Sequence, residues 1–187
     1  YGERDENINS GDTVHTIDSN WVDYVMSYDP SGIDTLNAQT SSKGVSIYLN
    51  NLLVGNTYLT YSINSDEIDP PYSRADGFIG VIEHAIGSNY NDILYDGLDH
   101  SFDTSINGMD GDDQIFYVGG NDFIDGGLGS DDLIFFDKSF SDINNINLDN
   151  QTYFVIFDDY NISISNVETI TDYEGISKSV LSLYNEF

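Results

Sequence analysis

Short runs of alternating apolar and polar residues fill much of the chain. Across residues 13–63, β-branched and aromatic side chains alternate with polar ones, and clusters of Asn, Gly, Ser and Asp separate the runs. Alternation with a period of two is typical of strands that bury one face. Strand-like runs return at residues 143–148, 153–158 and 161–170, whereas residues 64–77 contain two adjacent prolines and are predicted to form a surface loop. The pattern predicts an all-β protein.

Residues 87–137 repeat with a period of nine. Units that begin at residues 108, 117 and 126 share an Asp at the sixth place and an Ile or Leu at the eighth, namely Asp113 and Ile115, Asp122 and Ile124, and Asp131 and Leu133. An earlier unit begins at Gly87 and carries Asp92 at its sixth place, and Asp103 marks an intervening turn with irregular spacing. Repeats of this length indicate a parallel β-roll.

The repeat predicts where each side chain of the roll points. Six residues form a turn and three form a short strand, so two units complete one coil and turns two units apart stack on the same side. Ile115, Ile124 and Leu133 are therefore expected to line the interior, with Gln114 facing outward. Asp113 and Asp131 are expected to face each other, together with main-chain carbonyls, as a cage of oxygen atoms.

The charge of the chain indicates which kind of ligand the roll binds. There are 33 acidic and 5 basic side chains, which gives a net charge of −28, and this would repel nucleic acid or an anionic membrane. Residues 87–137 contain twelve Asp but no Lys, Arg or Glu. Calcium prefers six to eight oxygen ligands, and the chain has no Cys to serve softer metals. The sequence therefore predicts several bound calcium ions.

Other sites receive little support. No EF-hand loop, His-Glu-x-x-His motif or Gly-x-Ser-x-Gly elbow is present, and His15, His84 and His100 lie far apart. Adjacent carboxylates such as Asp158 and Asp159 are interpreted as solvated turn residues. We therefore expect no catalytic residues in this chain.

The nonapeptides resemble the Gly-Gly-x-Gly-x-Asp-x-hydrophobic-x repeats of RTX proteins, and in particular the C-terminal domain of serralysin-type secreted metalloproteases. Residues 1–13 resemble the junction between protease domain and roll in that family, residues 29–36 resemble its Asp-x-Gly-Gly-Asn-Asp-Thr-Phe stretch, and residues 80–87 resemble the run that enters its first repeat. Residues 164–170 instead resemble the strand module that closes many RTX arrays.

The resemblance implies two calcium sites before the repeats. One would combine the main-chain oxygens of Asn9, Gly11, Thr13 and Ser31 with the carboxylates of Asp29 and Asp34. A neighbouring site would use Asp34, the Gly32 carbonyl and Glu83.

Within the roll, the resemblance implies cages in which alternate carbonyls and the Asp of one turn face those of the turn two units later. The best match sets Met109, Gly111 and Asp113 opposite Gly126, Leu128 and Asp131. A second cage sets Ser88, Tyr90 and Asp92 against Gly108, Asp110 and Asp113. A third pairs Asp103 with Tyr117, Gly119 and Asp122. Ser88, Tyr90, Met109 and Tyr117 replace consensus glycines, at a cost of ~1–2 kcal/mol wherever a turn needs a positive φ.

We expect three segments: N-terminal strands that pack on the roll (1–86), the RTX roll (87–137), and C-terminal capping strands with a secretion-signal tail (138–187). The resemblance implies a secreted, extracellular domain that is exported by type I machinery and follows a catalytic domain of a longer protein. The alternative is a calcium-dependent adhesin or polysaccharide-binding module, in which aromatic residues such as Trp21, Tyr58 and Tyr95 would contact sugars.

Overall fold

The structure is a computed structural model, and the part of the chain that it describes comprises residues 11–17, 25–29, 31–54, 57–64, 75–97 and 102–187. In these residues the regular structure is almost entirely β-strand, which confirms the predicted all-β class. The exceptions are a 3-10 turn, Phe140–Asp142, and a short helix α1, Val180–Tyr184. No helix in the described ranges is long and apolar enough to cross a membrane.

The described strands form two sheets. The first has eight strands, which are, in order across the sheet, β1 (Val14–Thr16), β3 (Thr35–Asn37), β7 (His84–Ile86), β9 (Ser105–Asn107), β11 (Phe123–Asp125), β15 (Asn161–Ser165), β14 (Thr152–Ile156) and β13 (Asn145–Asp149). The second has nine, in the order β17 (Ser177–Ser179), β16 (Thr169–Thr171), β12 (Asp132–Phe135), β10 (Gln114–Tyr117), β8 (Ile93–Tyr95), β4 (Val45–Val54), β5 (Thr57–Asn64), β6 (Ala75–Ile79) and β2 (Val25–Tyr28).

From β7 to β12 the chain alternates between the two sheets, one strand at a time, and strands two apart in sequence pair in parallel. This is the coil of a β-roll. Antiparallel hairpins extend it on both sides: β5 and β6 continue the second sheet beyond β4, and β14 and β13 continue the first beyond β15. Strands from all three predicted segments therefore pair within the same two sheets.

The repeat sets the register where its period is unbroken. Ile115 lies beside Leu133 in the β10–β12 pair, eighteen residues along the chain, whereas Leu94 lies beside Ile115 in the β8–β10 pair, twenty-one residues apart. The irregular spacing around Asp103 thus adds three residues to one coil. The parallel pairing continues across this insertion, because the extra residues lie between the end of β8 at Tyr95 and the start of β9 at Ser105.

The interior consists of the side chains that the repeat predicts. Ile115, Ile124 and Leu133 are fully buried, and Gln114 is exposed, which confirms the inward and outward assignment. They belong to one apolar cluster that extends from Ile17 to Leu183 and includes side chains of both sheets. Burial of these aliphatic groups is the main apolar driving force for the roll.

Two details differ from the sequence prediction. The loop predicted for residues 64–77 ends earlier, because residues 75–79 pair with β2 and β5 as β6. The run predicted as one strand at residues 161–170 is divided between β15 and β16, which lie in different sheets. Asn166, with a φ of +50°, lies in the turn between them, a left-handed conformation that Asn tolerates better than most residues.

Candidate metal centre

A column of carboxylates runs along one side of the roll, directly before strands β8, β10 and β12. Asp92, Asp113 and Asp131 are each 1% exposed. The Asp92 N–H donates to Asp113 Oδ1 at 2.7 Å, and the Asp113 N–H donates to Asp131 Oδ1 at 2.9 Å. Each carboxylate therefore reaches back to the backbone of the turn before it and fixes the distance between stacked turns.

The second oxygen of two of these carboxylates has no protein partner. Oδ2 of Asp113 and Oδ2 of Asp131 are buried and accept no hydrogen bond. A buried charged oxygen without a partner is costly, so native proteins almost always provide one, either a donor or a cation. These two atoms are the strongest indication of a ligand in the roll.

Main-chain carbonyls share the space beside the free oxygens. A methyl carbon added to Gly108 would collide both with Asp113 Oδ2 and with the carbonyl oxygen of Gly126. The close approach of a carboxylate and a carbonyl oxygen at this point leaves room only for glycine. Oxygen ligands of this kind, held around a small space, fit a hard cation such as calcium.

The structure brings together most of the first predicted cage. Asp113, Asp131 and Gly126 meet as described, and Gly111 lies next to Gly129 of the following turn. The carbonyls of the other two predicted ligands, Met109 and Leu128, each accept one backbone hydrogen bond. The Leu128 N–H donates to the Met109 oxygen at 2.7 Å, and the Gly111 N–H donates to the Leu128 oxygen at 2.8 Å. A carbonyl has two lone pairs and can accept a second interaction.

The second predicted cage differs at Asp92. Its Oδ1 accepts from the Val45 N–H at 2.7 Å and from the Ser88 hydroxyl at 2.8 Å, and its Oδ2 accepts from the Ser88 N–H. Ser88, which replaces a consensus glycine, thus satisfies the carboxylate within the protein. The Gly108 carbonyl lies beside Asp92 Oδ2, and the Tyr90 carbonyl lies next to Gly111.

The third predicted cage is wrong in its register. Thr104, not Asp103, stands opposite Asp122: its N–H and hydroxyl donate to Asp122 Oδ1 at 2.6 Å and 3.0 Å. Asp103 is exposed and lies one residue before the stacked position, because β9 and β11 keep the two-repeat register of eighteen residues. Tyr117 is also not a turn residue; it ends β10, and its fully buried side chain donates to the Gly120 carbonyl at 2.8 Å.

Asp96 is a buried carboxylate that the repeat pattern does not single out. It accepts from the Val118 N–H at 2.9 Å and from the Gly119 N–H, and burial raises its pKa, with the charge of Asp122 adding to the effect. Asp122 Oδ2 is buried without a partner. The signal in the sequence is an Asp at the first place of a unit, where the consensus has Gly.

In the N-terminal region, Asp29 and Asp34 are fully buried, and one oxygen of each, Asp29 Oδ1 and Asp34 Oδ2, is unpartnered. The Thr13 N–H donates to Asp34 Oδ1 at 2.9 Å, and the Asp34 N–H donates to Glu83 Oε2 at 2.8 Å. His15 Nε2 lies 2.6 Å from Asp29 Oδ2, a contact that the sequence pattern does not predict.

The remaining predicted ligands of this region lie close by. A methyl carbon on Gly32 would be 2.5 Å from the Gly11 oxygen and 2.8 Å from Asp34 Oδ1, and the Gly11 N–H donates to the Ser31 carbonyl at 2.8 Å. Asn9 lies outside the described residues. The structure therefore places Gly11, Ser31 and Gly32 close to Asp34, while the Thr13 carbonyl accepts from the Thr35 N–H at 2.8 Å.

Burial raises the pKa of these carboxyl groups. Desolvation is the main cause at Asp113, whose pKa rises to about 8, with the charges of Asp92 and Asp131 adding to it. The pKa of Asp131 rises to about 6, also mainly through desolvation, and Asp34, Asp92 and Asp122 behave alike. Without a cation, the buried column favours protons, which is the behaviour of groups that lack positive neighbours.

Side chains alone do not complete a metal site in the described part of the chain, since no three His, Asp or Glu side chains cluster closely enough there to hold an ion. Any cage would depend on main-chain carbonyls, as in the arrangement predicted from the repeats.

The structure gives little support to a sugar-binding aromatic face or to a catalytic pair of adjacent carboxylates. Tyr95 lies between Tyr48 and Phe116, with ring centroids 4.5 Å and 4.3 Å away, so both of its faces are covered by other rings. Asp158 and Asp159 are both exposed, as expected of solvated turn residues. Trp21 and His100 lie outside the described residues.

No protein-family model matches the chain, and no curated protein matches it in a sequence search.

Proposed function

We propose that this chain is a calcium-binding β-roll domain of the RTX type, without catalytic residues of its own. Its role is to support the calcium-dependent folding, stability and type I export of a secreted bacterial protein, for which a serralysin-like zinc metalloprotease is the favoured parent. The observation that carries the proposal is the pair of buried, unpartnered oxygens, Asp113 Oδ2 and Asp131 Oδ2, beside main-chain carbonyls.

Charge supports the same conclusion. Twelve Asp and no basic residue lie between residues 87 and 137, and stacking of the turns brings Asp92, Asp113 and Asp131 onto one side. At short range in a partly desolvated site, like charges repel by on the order of kcal/mol. Bound calcium would supply two positive charges per site and oxygen coordination for the free carboxylate atoms.

Folding and binding are then one linked process. The cages exist only when the turns are stacked, so ligand binding contributes free energy to the folded state alone. Export fits this linkage, because cytosolic calcium is low and the chain would stay unfolded until it leaves the cell.

Calorimetric titration of the calcium-free protein with calcium, and in parallel with magnesium, tests the proposal. We expect several calcium ions per chain and a simultaneous gain of β-structure by circular dichroism. Magnesium should bind more weakly, since it requires a smaller, octahedral site and keeps its water molecules. A protein that folds fully in chelator and takes up no calcium would overturn the proposal.

The adhesin alternative has a separate test. Reproducible calcium-dependent retention of particular sugars on a glycan array, or on alginate resin, would favour a polysaccharide-binding module over a purely structural and export role.

A further inference from the structure

Strand β16 continues the column of turns beyond the last repeat. It pairs in parallel with β12, with Thr169 beside Asp132 and Ile170 beside Leu133, in the same way as β12 pairs with β10. Glu168 therefore precedes its strand at the level where Asp113 and Asp131 precede theirs. The stacking continues although this segment contains no nonapeptide.

Glu168 makes the hydrogen bond that an Asp makes in the repeats. The Asp131 N–H donates to Glu168 Oε2 at 2.8 Å, as the Asp113 N–H donates to Asp131 Oδ1 at 2.9 Å. The Glu168 and Thr169 N–H groups both donate to the Asp131 carbonyl, at 3.2 Å and 3.1 Å. The longer side chain of Glu thus takes the role of the next Asp in the column.

Asn166 takes the place of the glycine of the next turn. A methyl carbon on Gly126 would collide with the Asn166 carbonyl oxygen and lie 2.7 Å from Asp131 Oδ2, which reproduces the arrangement of Gly126 and Asp113 around Gly108. The Asn166 side-chain amide donates to Asp125 Oδ1 at 2.7 Å and so holds this turn in position. Asp131 Oδ2, buried and unpartnered, shares this space with the carbonyl.

The same arrangement occurs a second time, in the other sheet. The Asp34 N–H donates to Glu83 Oε2 at 2.8 Å, and the Glu83 and His84 N–H groups donate to the Asp34 carbonyl at 3.2 Å and 3.0 Å. Asp34 also keeps one buried oxygen unpartnered. An Asp followed in the stack by a Glu is therefore a unit that the fold builds twice, at distant points of the chain.

We propose that Asp131, Glu168 and the main-chain carbonyl of Asn166 form a further calcium site, which joins the last repeat to the C-terminal strands. This inference rests on the proposed calcium-binding function. Carboxylate and carbonyl oxygens are the ligands that calcium prefers. The site closes an excursion of 37 residues between Asp131 and Glu168, so its occupation makes the docking of β16 part of the calcium-linked fold.

The test compares Glu168→Gln with the matched control Glu174→Gln, which changes an exposed Glu six positions further on. By calorimetry, the Glu168→Gln protein should bind one calcium ion fewer than the parent, or bind it roughly 10–100-fold more weakly, as expected for a perturbed metal site. The control should match the parent. Equal calcium binding by all three proteins would overturn the inference while leaving the proposed function intact, whereas a parent that binds no calcium would remove both.

A measurement on the unmodified protein covers the case in which Glu168→Gln does not fold. In an NMR titration with calcium, the backbone amides of Asn166, Glu168 and Thr169 should shift and saturate together with those of the roll. Resonances of these three residues that stay fixed, while Asp113 and its neighbours respond, would also overturn the inference.

Discussion

Buried aspartates are handled in opposite ways in the roll and in the C-terminal strands. Asp172 is 3% exposed, and its oxygens accept from the backbone N–H groups of Phe140, Glu174 and Ile176 at 2.9–3.3 Å. Asp113 is 1% exposed, yet one of its oxygens has no partner at all. The carboxylate of Asp172 is therefore satisfied by the protein itself, whereas that of Asp113 leaves one buried oxygen free for the proposed calcium ion.

The distribution of basic residues follows the same division. Lys138 lies over the ring of Tyr160, and Lys178 lies over Phe140 and forms an ion pair with Glu186 at 2.6 Å. Both lysines belong to the C-terminal region, and the roll between residues 87 and 137 contains none. A difference in calcium dependence between the two regions is therefore the main experimental expectation.

The largest effect should come from removing calcium. Hydrogen exchange of amides in β10 and β12 should accelerate by ~100-fold or more in chelator, the loss expected when a ligand at about a hundred times its Kd is withdrawn. Amides of the β13–β14 hairpin should change less. Full protection of β10 in chelator would contradict the proposed linkage between calcium binding and folding.

The second-largest effect should come from loss of apolar packing in the core, and this loss of stability should not require a change in calcium binding. Ile115→Ala removes a fully buried side chain and should lower the free energy of unfolding by ~2–5 kcal/mol. The exposed neighbour in the control Gln114→Ala should change it by at most about 0.5 kcal/mol. Denaturant unfolding in saturating calcium provides both values, and similar losses at the two positions would refute the inward and outward assignment.

The paired variants Asp113→Asn and Asp172→Asn test the difference between a buried Asp of the roll and a buried Asp of the C-terminal strands. An amide at position 113 still accepts from the Asp92 N–H and presents a donor toward the Gly126 carbonyl, but it cannot supply a charged ligand. We expect this variant to lose roughly 1–3 kcal/mol of stability in calcium and to gain stability in chelator.

At position 172, the substitution replaces one accepting oxygen by a donor that faces the Phe140 N–H. Asp172→Asn should therefore lose stability both in calcium and in chelator. Thermal unfolding of both variants, in calcium and in chelator, measures these changes in stability. A loss of stability in chelator for Asp113→Asn would argue against an uncompensated negative charge at this position.

The calcium-free roll should become less stable as the pH rises. The pKa of Asp113 is about 8 in the folded protein, against an ordinary value near 4, so between these values the folded state holds a proton that the unfolded chain has lost. The resulting stability is complete below pH ~4 and disappears as the pH rises through ~8. Calorimetric unfolding of calcium-free protein at pH 5 and pH 8.5 measures this, and higher stability at pH 8.5 would contradict it.

A smaller effect is expected at Met109. Of the four residues that replace consensus glycines, only Met109 has a positive φ, +79°, whereas Ser88, Tyr90 and Tyr117 do not. Met109→Gly should therefore increase stability by up to about 1 kcal/mol, since relief of the left-handed conformation is partly offset by the greater freedom of glycine in the unfolded chain. Chemical unfolding of the variant in calcium checks this, and destabilisation would show that the Met109 side chain contributes packing that outweighs the strain.

The sequence by itself determined the class of fold and the unbroken part of the roll. A period of nine specifies which residues point inward and which Asp lie side by side, because stacking two units per coil leaves no freedom in register. The burial of Ile115, Ile124 and Leu133 and the contact between Asp113 and Asp131 follow from this local periodicity.

Only the tertiary structure decided the contacts that arise where the period breaks. Thr104 lies opposite Asp122 at the ordinary separation of eighteen residues, so Asp103 is one place out of the stacked position, and the excursion after Asp131 returns to put Glu168 at the next level of the column. The position of Glu168 is not encoded by the repeat, because the return of a strand to the sheet depends on pairing with partners 37–49 residues away and on the shared apolar core. Local repetition fixes the neighbours inside the array, whereas long-range strand pairing selects the residues that close it.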